Sequence, residues 1–261
     1  MNVILVLSPH LDDAAFSVGP LIAEFSGRAN IVVATVFTKT ASKLTEFALS
    51  CQLDKGLPAE VDYMAIRRKE DMEWSKRIGA EALHGTFAEA PHRGYRNVEE
   101  LFGPLLEADK LEDVLREWFA DLTNYLKPSA ILCPIGVGNH VDHVWVRKAA
   151  EASFHGEFPL FFFKDQPYSS KLNCVAIEDY SYASRIWKES AVPLSQSSLF
   201  RAQFAAEAYQ TQVSFQFGNV EKMKTTLLAA WMQHMPLFHS GESAGSQDIF
   251  SSTVCGPTCL G

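Results

Sequence analysis

MNVILVLSPHLDD, residues 1–13, joins a short apolar run to a histidine and two adjacent aspartates. Residues 3–7 are all apolar and mostly β-branched or leucine, which is typical of a strand that is covered on both faces of a sheet. Charged groups beside a buried strand are costly unless they are paired or used. The stretch therefore predicts a first β-strand whose end carries a functional site.

Strand-like runs and helical patterns alternate along the first two thirds of the chain. The further strand-like runs are residues 31–37, 130–134 and 159–164. The helical patterns cover residues 14–26, 111–126 and 143–153. Strands that alternate with helices form βαβ units, which makes the strands parallel and places helices on both faces of the sheet. The predicted fold class is therefore α/β with a mainly parallel sheet.

The chain is long enough for one domain with an extension. It has 261 residues, of which 47% are hydrophobic and 21% charged, and such a chain can bury a sizeable core. We expect a single domain over residues 1–240, with a core over 1–165, an extension over 166–240 and a flexible polar tail over 241–261. The extension is predicted to hold a strand at 174–177, helices at 199–212 and 220–232, and the core aromatic residues Phe200, Phe204, Phe217 and Trp231.

Charge and cysteine content exclude several classes of partner. The net charge is −8, from 23 basic and 31 acidic residues, which argues against nucleic acid or an anionic membrane as the main partner. The apolar runs are shorter than the roughly 18 residues of a transmembrane helix, and the N-terminus lacks a basic leader. Three of the five cysteines are scattered along the chain, a pattern that suits a reducing compartment, so the expected location is the cytoplasm. Cys255 and Cys259 form a C-x3-C pair, a weak zinc pattern in what is expected to be a mobile tail.

A second polar cluster follows a second predicted strand. Residues 138–143, GNHVDH, come after the run ILCPI and open the next helical pattern. Because ligands of such sheets bind beyond the carboxyl ends of the strands, the PHLDD and GNHVDH clusters should lie on the same rim. Two clusters that reach one rim by independent arguments predict one shared site.

The residue types in these clusters suit a catalytic metal. Such a site takes three protein ligands from His and Asp/Glu and leaves one position open. His10 and Asp13 have a spacing of three residues, as have His140 and His143, so each pair can face one point at a helix start. One histidine and one aspartate of the first cluster, with one histidine of the second, would complete the set. The remaining carboxylate and histidine could move protons or stabilise charge.

A simpler interpretation treats both clusters as helix starts. Proline followed by aspartates suits the first turn of a helix, and Asn139 with Asp142 resembles a capping pair. Helix starts require no histidines, however, and they do not explain why both clusters share a rim. The metal site is therefore the favoured hypothesis.

The paired motif resembles a known family. Pro-His-x-Asp-Asp after a first strand, with a later His-x-Asp-His, is similar to the LmbE/PIG-L family of zinc-dependent N-acetylglucosaminyl deacetylases. The resemblance covers roughly residues 1–165, with a weaker match at Tyr209-x-Thr-Gln, where the family often has Tyr-x-Ser-Gln. It implies a Rossmann-like sheet, a divalent metal (usually zinc, alternatively Fe²⁺ or Mn²⁺) and hydrolysis of the acetamide on an amino sugar.

The resemblance assigns roles by position. It implies that His10, Asp13 and His143 are the metal ligands. Asp12 would be the general base that takes a proton from the attacking water and returns it to the sugar nitrogen. The metal would polarise the amide carbonyl and acidify the water.

Further family roles concern the second cluster and the pocket. His140 would stabilise the tetrahedral intermediate or help the amine leave, and Asp142 would support the imidazole of His140. Asp165, after the strand at 159–164, is a candidate for framing the pocket. The chain departs from the family at Leu11 and Ala14, where many members have proline and glutamate, and this puts substrate details in doubt rather than metal binding.

Candidate substrate-binding residues lie in two segments. Arg67 and Glu70 match a family Arg-x-x-Glu whose arginine contacts substrate, although Arg68 is an alternative counterpart and a solvated helix face a competing interpretation. Arg93 and Tyr95, in the loop APHRGYR, should lie on the same rim and could bind sugar hydroxyls or a phosphate. A solvated loop is the competing interpretation there.

The expected function is removal of the N-acetyl group from an N-acetylglucosamine-type sugar or glycoconjugate, with release of acetate. The lack of a membrane segment favours a soluble or glycoconjugate substrate, and the oligomeric state is left open. One alternative is a zinc amidase that cleaves another acyl or amino-acid–sugar amide. The other is a non-catalytic sugar-binding relative, against which the retained Asp12 argues.

Overall fold

Seven strands form one sheet in the computed structural model of the protein, which describes residues 2–171, 187–231 and 234–240. The strands are β1 (Val3–Ser8), β2 (Asn30–Phe37), β3 (Glu81–Phe87), β4 (Ala130–Pro134), β5 (Leu160–Phe163), β6 (Trp187–Pro193) and β7 (His234–Ser240). The helices are α1 (Asp13–Phe25), α2 (Glu46–Leu53), α3 (Tyr63–Ile78), α4 (Val98–Leu101), α5 (Glu112–Leu126), α6 (Val141–Phe154), α7 (Tyr168–Lys171), α8 (Gln196–Ala206), α9 (Gln210–Phe217) and α10 (Val220–Trp231).

The sheet has the order β3-β2-β1-β4-β5-β7-β6. Strands β1 to β5 pair in parallel, whereas β7 is antiparallel to both β5 and β6. This confirms the predicted α/β class with a mainly parallel sheet and a C-terminal extension. The predicted strand at 174–177 and the tail at 241–261, with Cys255 and Cys259, lie outside the described residues.

Helices cover both faces of the central strands. In β1, Ile4 and Val6 join a core cluster with residues of α1, α8 and α10, whereas Leu5 and Leu7 join a second cluster with residues of α5 and α6. Side chains of a strand alternate between its two faces, so both faces of β1 must be apolar. The apolar run at residues 3–7 therefore explains why β1 lies in the centre of the sheet.

Several features differ from the sequence expectation. The helix predicted at 199–212 is two helices, α8 and α9, separated at residues 207–209. The predicted strands omit β3, whose half-exposed residues carry no continuous apolar run, and also omit β6 and β7 of the extension. Phe200 and Phe204 are 74% and 58% exposed rather than in the core, whereas Trp231 is buried.

The strand order reverses between β1 and β4. The chain runs from β1 outward to β2 and β3, and then returns to add β4 and β5 on the other side. In doubly wound sheets the crevice at such a reversal, outside the carboxyl ends of the strands, is where ligands bind. Both polar clusters follow these two strands. Within the described ranges, no helix is long and apolar enough to cross a membrane.

Candidate active site

The two clusters meet in the crevice between β1 and β4. His10 and Asp12 follow β1, Asp13 opens α1, and His143 lies in the first turn of α6. All four residues are buried, and His10, the most accessible, is 9% exposed. The rings of His10 and His143 have their centroids 5.2 Å apart. The fold thus brings together the residues that the spacing argument grouped.

Three donor atoms converge on one point. His10 Nδ1 lies 3.1 Å from Asp13 Oδ2, and His143 Nε2 lies 3.2 Å from the same oxygen. The two ring nitrogens are 3.3 Å apart. A wider group of ring nitrogens, from His10, His140 and His143, lies within 4.8 Å and is also able to hold a metal ion.

A carboxylate on the far side of each imidazole fixes its orientation. His10 Nε2 lies 2.9 Å from Asp142 Oδ2, and His143 Nδ1 lies 2.5 Å from Asp165 Oδ1. An ionised carboxylate only accepts hydrogen bonds, so each ring donates its N–H outward. The other nitrogen of each ring then faces Asp13 Oδ2, so that the two rings and this carboxylate surround one point, as in the usual carboxylate–histidine–metal arrangement.

This arrangement favours positive charge. Burial lowers the pKa of His10, but hydrogen bonds and charge from Asp13 and Asp142 outweigh it, so the pKa lies well above its usual value. Burial also lowers the pKa of His143, but hydrogen bonds and charge from Asp13 and Asp165 outweigh it and raise this pKa to about 9. The crevice therefore holds either protons on these imidazoles or a cation in their place.

The role expected for Asp142 is corrected. Its carboxylate contacts His10, not the imidazole of His140, while only its backbone N–H reaches His140 Nδ1, at 3.2 Å. Residues two apart at a helix start do not face each other, which is the physical reason. Asp142 thus supports the first cluster from the second.

Asp165 joins the β4–α6 loop to the site. Its Oδ2 accepts the backbone N–H groups of Gly136 and Val137, at 2.7 and 2.9 Å. Gly136 and Asn139 have φ values of +83° and +60°, in the left-handed region that glycine and asparagine tolerate best. Asp165 therefore holds both His143 and the loop before it. Its position after β5 was the one sequence signal.

Asp12 is held by two donors and does not cap the helix that follows it. Arg67 Nη2 donates to Oδ1 at 3.1 Å, and Gln216 Nε2 donates to Oδ2 at 2.8 Å. No side-chain cap bond forms from Asp12 to α1. Burial raises the pKa of Asp12 to about 6, against the charge of Arg67. A carboxyl group with this pKa can exchange a proton near neutrality.

His140 is neutral and has its proton on Nε2. Burial, reinforced by the charge of His10, lowers the pKa of His140 to about 3. Because its Nδ1 accepts the N–H of Asp142, the remaining proton must be on Nε2. His140 is therefore a hydrogen-bond donor at the edge of the site.

Arg67, rather than Arg68, points into the site. Besides Asp12, it binds Glu89 through Nη1 at 2.5 Å, and it is 5% exposed. Arg68 instead donates to the backbone oxygen of Thr38 at 2.6 Å. The competing interpretation of Arg67 as part of a solvated face is thus wrong, and its observed contacts are to the carboxylates.

Arg93 and Tyr95 do not reach the pocket as free substrate-binding groups. Arg93 donates to both oxygens of Asp109 at 3.1 Å, and to Asp142 at 2.6 Å. The hydroxyl of Tyr95 donates to Asp109 at 3.0 Å. Their polar atoms are used inside the protein because Asp109 is a buried carboxylate that requires donors. Through Arg93 this network supports Asp142, and hence His10.

Asp109→Ala is expected to destabilise the fold by about 3–5 kcal/mol, because it removes the carboxylate that binds two nitrogens of the buried Arg93 and leaves Asp142 as the one carboxylate paired with it in the described part of the chain. It also removes the acceptor for Trp145 Nε1, at 2.8 Å. Urea unfolding measures the change. Asp121→Ala, at an exposed position of α5, is the control and should stay within about 0.5 kcal/mol of the parent. Equal stability of both variants would contradict the role of Asp109.

The two weaker motif matches contact each other. Thr211 donates through its N–H and hydroxyl to Glu70, at 2.9 and 2.6 Å, and Gln212 Nε2 donates to the Tyr63 hydroxyl at 2.6 Å. These bonds fix α9 against α3. The Arg-x-x-Glu and Tyr-x-Thr-Gln segments are thus two sides of one contact beside Asp12.

A cavity of about 490 Å³ adjoins the site. The residues that line it include Arg67, Glu89, Lys55 and Tyr63. The mixture of apolar and polar walls is typical of small-molecule sites. Arg67 joins the cavity to Asp12.

Comparison with known proteins identifies the family of this chain. The sequence profile described as PIG-L, GlcNAc-PI de-N-acetylase, matches residues 5–154, which is more than half of the chain. The chain belongs to the PIG-L family. This PIG-L family member is 34% identical over 176 residues to 2'-N-acetylparomamine deacetylase of Streptomyces fradiae. That match covers 67% of the chain but only 60% of the relative, so the chain spans less than two thirds of the relative's length.

Solved structures share the fold of this PIG-L family member. The zinc-inhibited form of a teicoplanin deacetylase matches 93% of the chain and 100% of its own, with a TM-score of 0.76 and 20% identity. A deacetylase of an antimicrobial pseudoaglycone matches 90% of the chain and 94% of its own, with a TM-score of 0.72 and 25% identity. The resemblance read from the paired motif is confirmed.

Proposed function

We propose that this protein is a zinc-dependent deacetylase that removes the N-acetyl group from an N-acetylglucosamine-type sugar in a small glycoside. The observation that carries the proposal is the convergence of His10 Nδ1, Asp13 Oδ2 and His143 Nε2, with separations of 3.1–3.3 Å, beside the ionisable Asp12. The relative from Streptomyces fradiae, named for deacetylation of 2'-N-acetylparomamine, supports an amino-sugar substrate.

The donor set fits a tetrahedral metal. Ligand atoms about 2.0–2.1 Å from zinc are about 3.4 Å apart in a tetrahedron, close to the separations in this set. In this set Asp13 Oδ2 lies 3.1 and 3.2 Å from the two ring nitrogens, whereas His140 Nδ1 already accepts the backbone N–H of Asp142. We therefore assign His10, Asp13 and His143 as ligands, leaving His140 as a donor. Fe²⁺ and Mn²⁺ accept the same donors.

The residues around this set supply the proton chemistry. When bound, a divalent metal supplies Lewis acidity and lowers the pKa of water. Asp12 accepts a proton from the attacking water, while Arg67 and Gln216 hold its carboxylate. His140 Nε2–H donates to the oxyanion that develops on the amide, an interaction whose loss typically costs about 2.7–4 kcal/mol. Asp12 then returns the proton to the sugar nitrogen, so that an amine leaves.

The experiment that tests this function combines elemental analysis with acetate release. The panel contains N-acetylglucosamine, its methyl glycoside, N,N'-diacetylchitobiose and 2'-N-acetylparomamine, with N-butyryl and N-aminoacyl analogues. About one equivalent of metal is expected from the single ligand set, with acetate released from at least one glycoside. Cleavage of only the longer acyl groups would favour the alternative amidase. Metal without any hydrolysis would favour a sugar-binding relative.

Removal of the metal is expected to abolish acetate release reversibly. Dialysis against a chelator should leave the fold intact, because His10 and His143 can take protons in place of the cation. One equivalent of zinc, iron or manganese is then added anaerobically to separate samples. At least one of these metals should restore acetate release, and the rates compare how well each metal supports hydrolysis. Full activity of protein shown to be metal-free would refute metal dependence.

A further inference from the structure

We propose that Gln216 is a positioning residue for Asp12, and that helix α9 of the C-terminal extension thereby completes the catalytic site. This inference rests on the proposed function. The juxtaposition that carries it is a hydrogen bond of 2.8 Å from Gln216 Nε2 to Asp12 Oδ2, between residues 204 positions apart in the chain.

Both oxygens of the Asp12 carboxylate are held by different parts of the fold. Arg67 of α3 donates to Oδ1 at 3.1 Å, and Gln216 of α9 donates to Oδ2. One donor would leave the carboxylate free to rotate about its Cβ–Cγ bond, whereas two fix its plane. A general base needs this fixed direction, because its lone pair must point at the proton that it takes.

The orientation of the Gln216 amide is decided by Asp12. The amide oxygen of Gln216 is buried and has no hydrogen-bond partner among the described residues. A buried acceptor without a partner is destabilising, so such a group calls for an explanation. Turning the amide over would place its oxygen against the carboxylate of Asp12, and Oδ2 would lose the donor that it has among the described residues. The chain therefore tolerates an unpaired oxygen in order to keep the donor on Asp12.

Helix α9 holds Gln216 in place from both ends. At its start, Thr211 binds Glu70 of α3 with two hydrogen bonds. At its end, the ring of Phe217 packs edge-to-face on the buried Phe16 of α1, with centroids 5.2 Å apart. A functional side chain on a helix that is fixed in this way is held more precisely than one on a loop.

The first test replaces Gln216 by methionine, which has a similar length and no donor. We expect kcat to fall about ten- to a hundredfold, the usual effect of losing one hydrogen bond to a charged group. KM and metal content should stay within twofold of the parent. Gln216→Glu, which puts an acceptor in place of the donor, should lose at least as much. Gln210→Met, at an exposed position of the same helix, is the matched control and should leave kcat unchanged.

The second test asks whether the effect passes through Asp12. In an Asp12→Asn background, Gln216→Met should change the residual rate less than twofold, since the oriented base is already gone. The proposal is overturned if Gln216→Met lowers kcat by the same factor in both backgrounds. It is also overturned if the substitution leaves kcat unchanged or raises only KM.

A readout without catalysis separates this inference from the proposed function. If the parent protein hydrolyses none of the panel, the proposed function fails, and the contact is then tested by urea unfolding. Gln216→Met should lower the unfolding midpoint less in an Asp12→Ala background than in the parent, because the bond that it removes is already absent. Additive shifts of the midpoint would refute the contact itself.

Discussion

Asp12→Asn is expected to lower kcat by about 10²- to 10⁴-fold while the protein keeps its metal, because an amide cannot accept the proton that a positioned general base removes. The shape of the side chain is conserved. The asparagine oxygen can still accept from Arg67, and its NH2 can donate to Gln216 once the Gln216 amide turns over, so the fold should be unaffected. Asp13, the proposed ligand beside it, retains its bonds to His10 and His143. Elemental analysis and steady-state rates of acetate release measure the two effects separately.

Asp121→Asn is the control for this change, since it makes the same chemical substitution at an exposed position of α5. It should keep both metal and turnover. Near-normal turnover of Asp12→Asn with metal bound would show that another group removes the proton. Loss of metal from Asp12→Asn would instead place Asp12 among the ligands.

The parts of the site that were predictable from sequence are those with a local signature. The apolar run at residues 3–7 specifies a central strand, and the alternation that follows specifies parallel neighbours. From these alone, His10 and His143 could be placed on one rim. The strand order, which makes β1 and β4 adjacent, could not be predicted in this way. Pairing between strands that are distant in the chain leaves no local pattern in the sequence.

Gln216 and Asp109, which hold Asp12 and Arg93, could not be found in this way. Gln216 contacts Asp12 from 204 positions away, on a helix where a glutamine is ordinarily solvated. Asp109 lies in a polar connecting segment and gathers donors from Arg93, Tyr95 and Trp145. Buried hydrogen-bond networks of this kind depend on tertiary packing, which spacing does not encode.

One error could have been avoided from sequence alone. Asp142 was paired with His140, although side chains two residues apart at a helix start diverge. Applied consistently, that rule sends Asp142 toward a different partner, and the structure shows that partner to be His10. Asp142 of the second cluster therefore orients His10, a proposed metal ligand of the first cluster.

His143→Ala is expected to lose both metal and turnover, in contrast to Asp12→Asn. The residue is fully buried, its Nε2 lies 3.2 Å from Asp13 Oδ2, and its Nδ1 is held by Asp165. Removing it leaves two protein ligands where a catalytic metal site needs three. Asp165→Asn, which keeps the imidazole but weakens its orientation, should lower metal affinity by about 10- to 100-fold.

These changes are followed by zinc titration against a competing chelator, with urea unfolding of each apo-protein to exclude loss of the fold. His143→Gln provides a second variant that fills the buried space if alanine destabilises the core. His155→Ala, at the exposed end of the same helix, should bind metal as the parent does. The order of affinity expected is therefore parent and His155→Ala, then Asp165→Asn, then His143→Ala. Retention of one equivalent of metal by a folded His143→Ala would show that His143 is not a required ligand, and the assigned ligand set would be wrong.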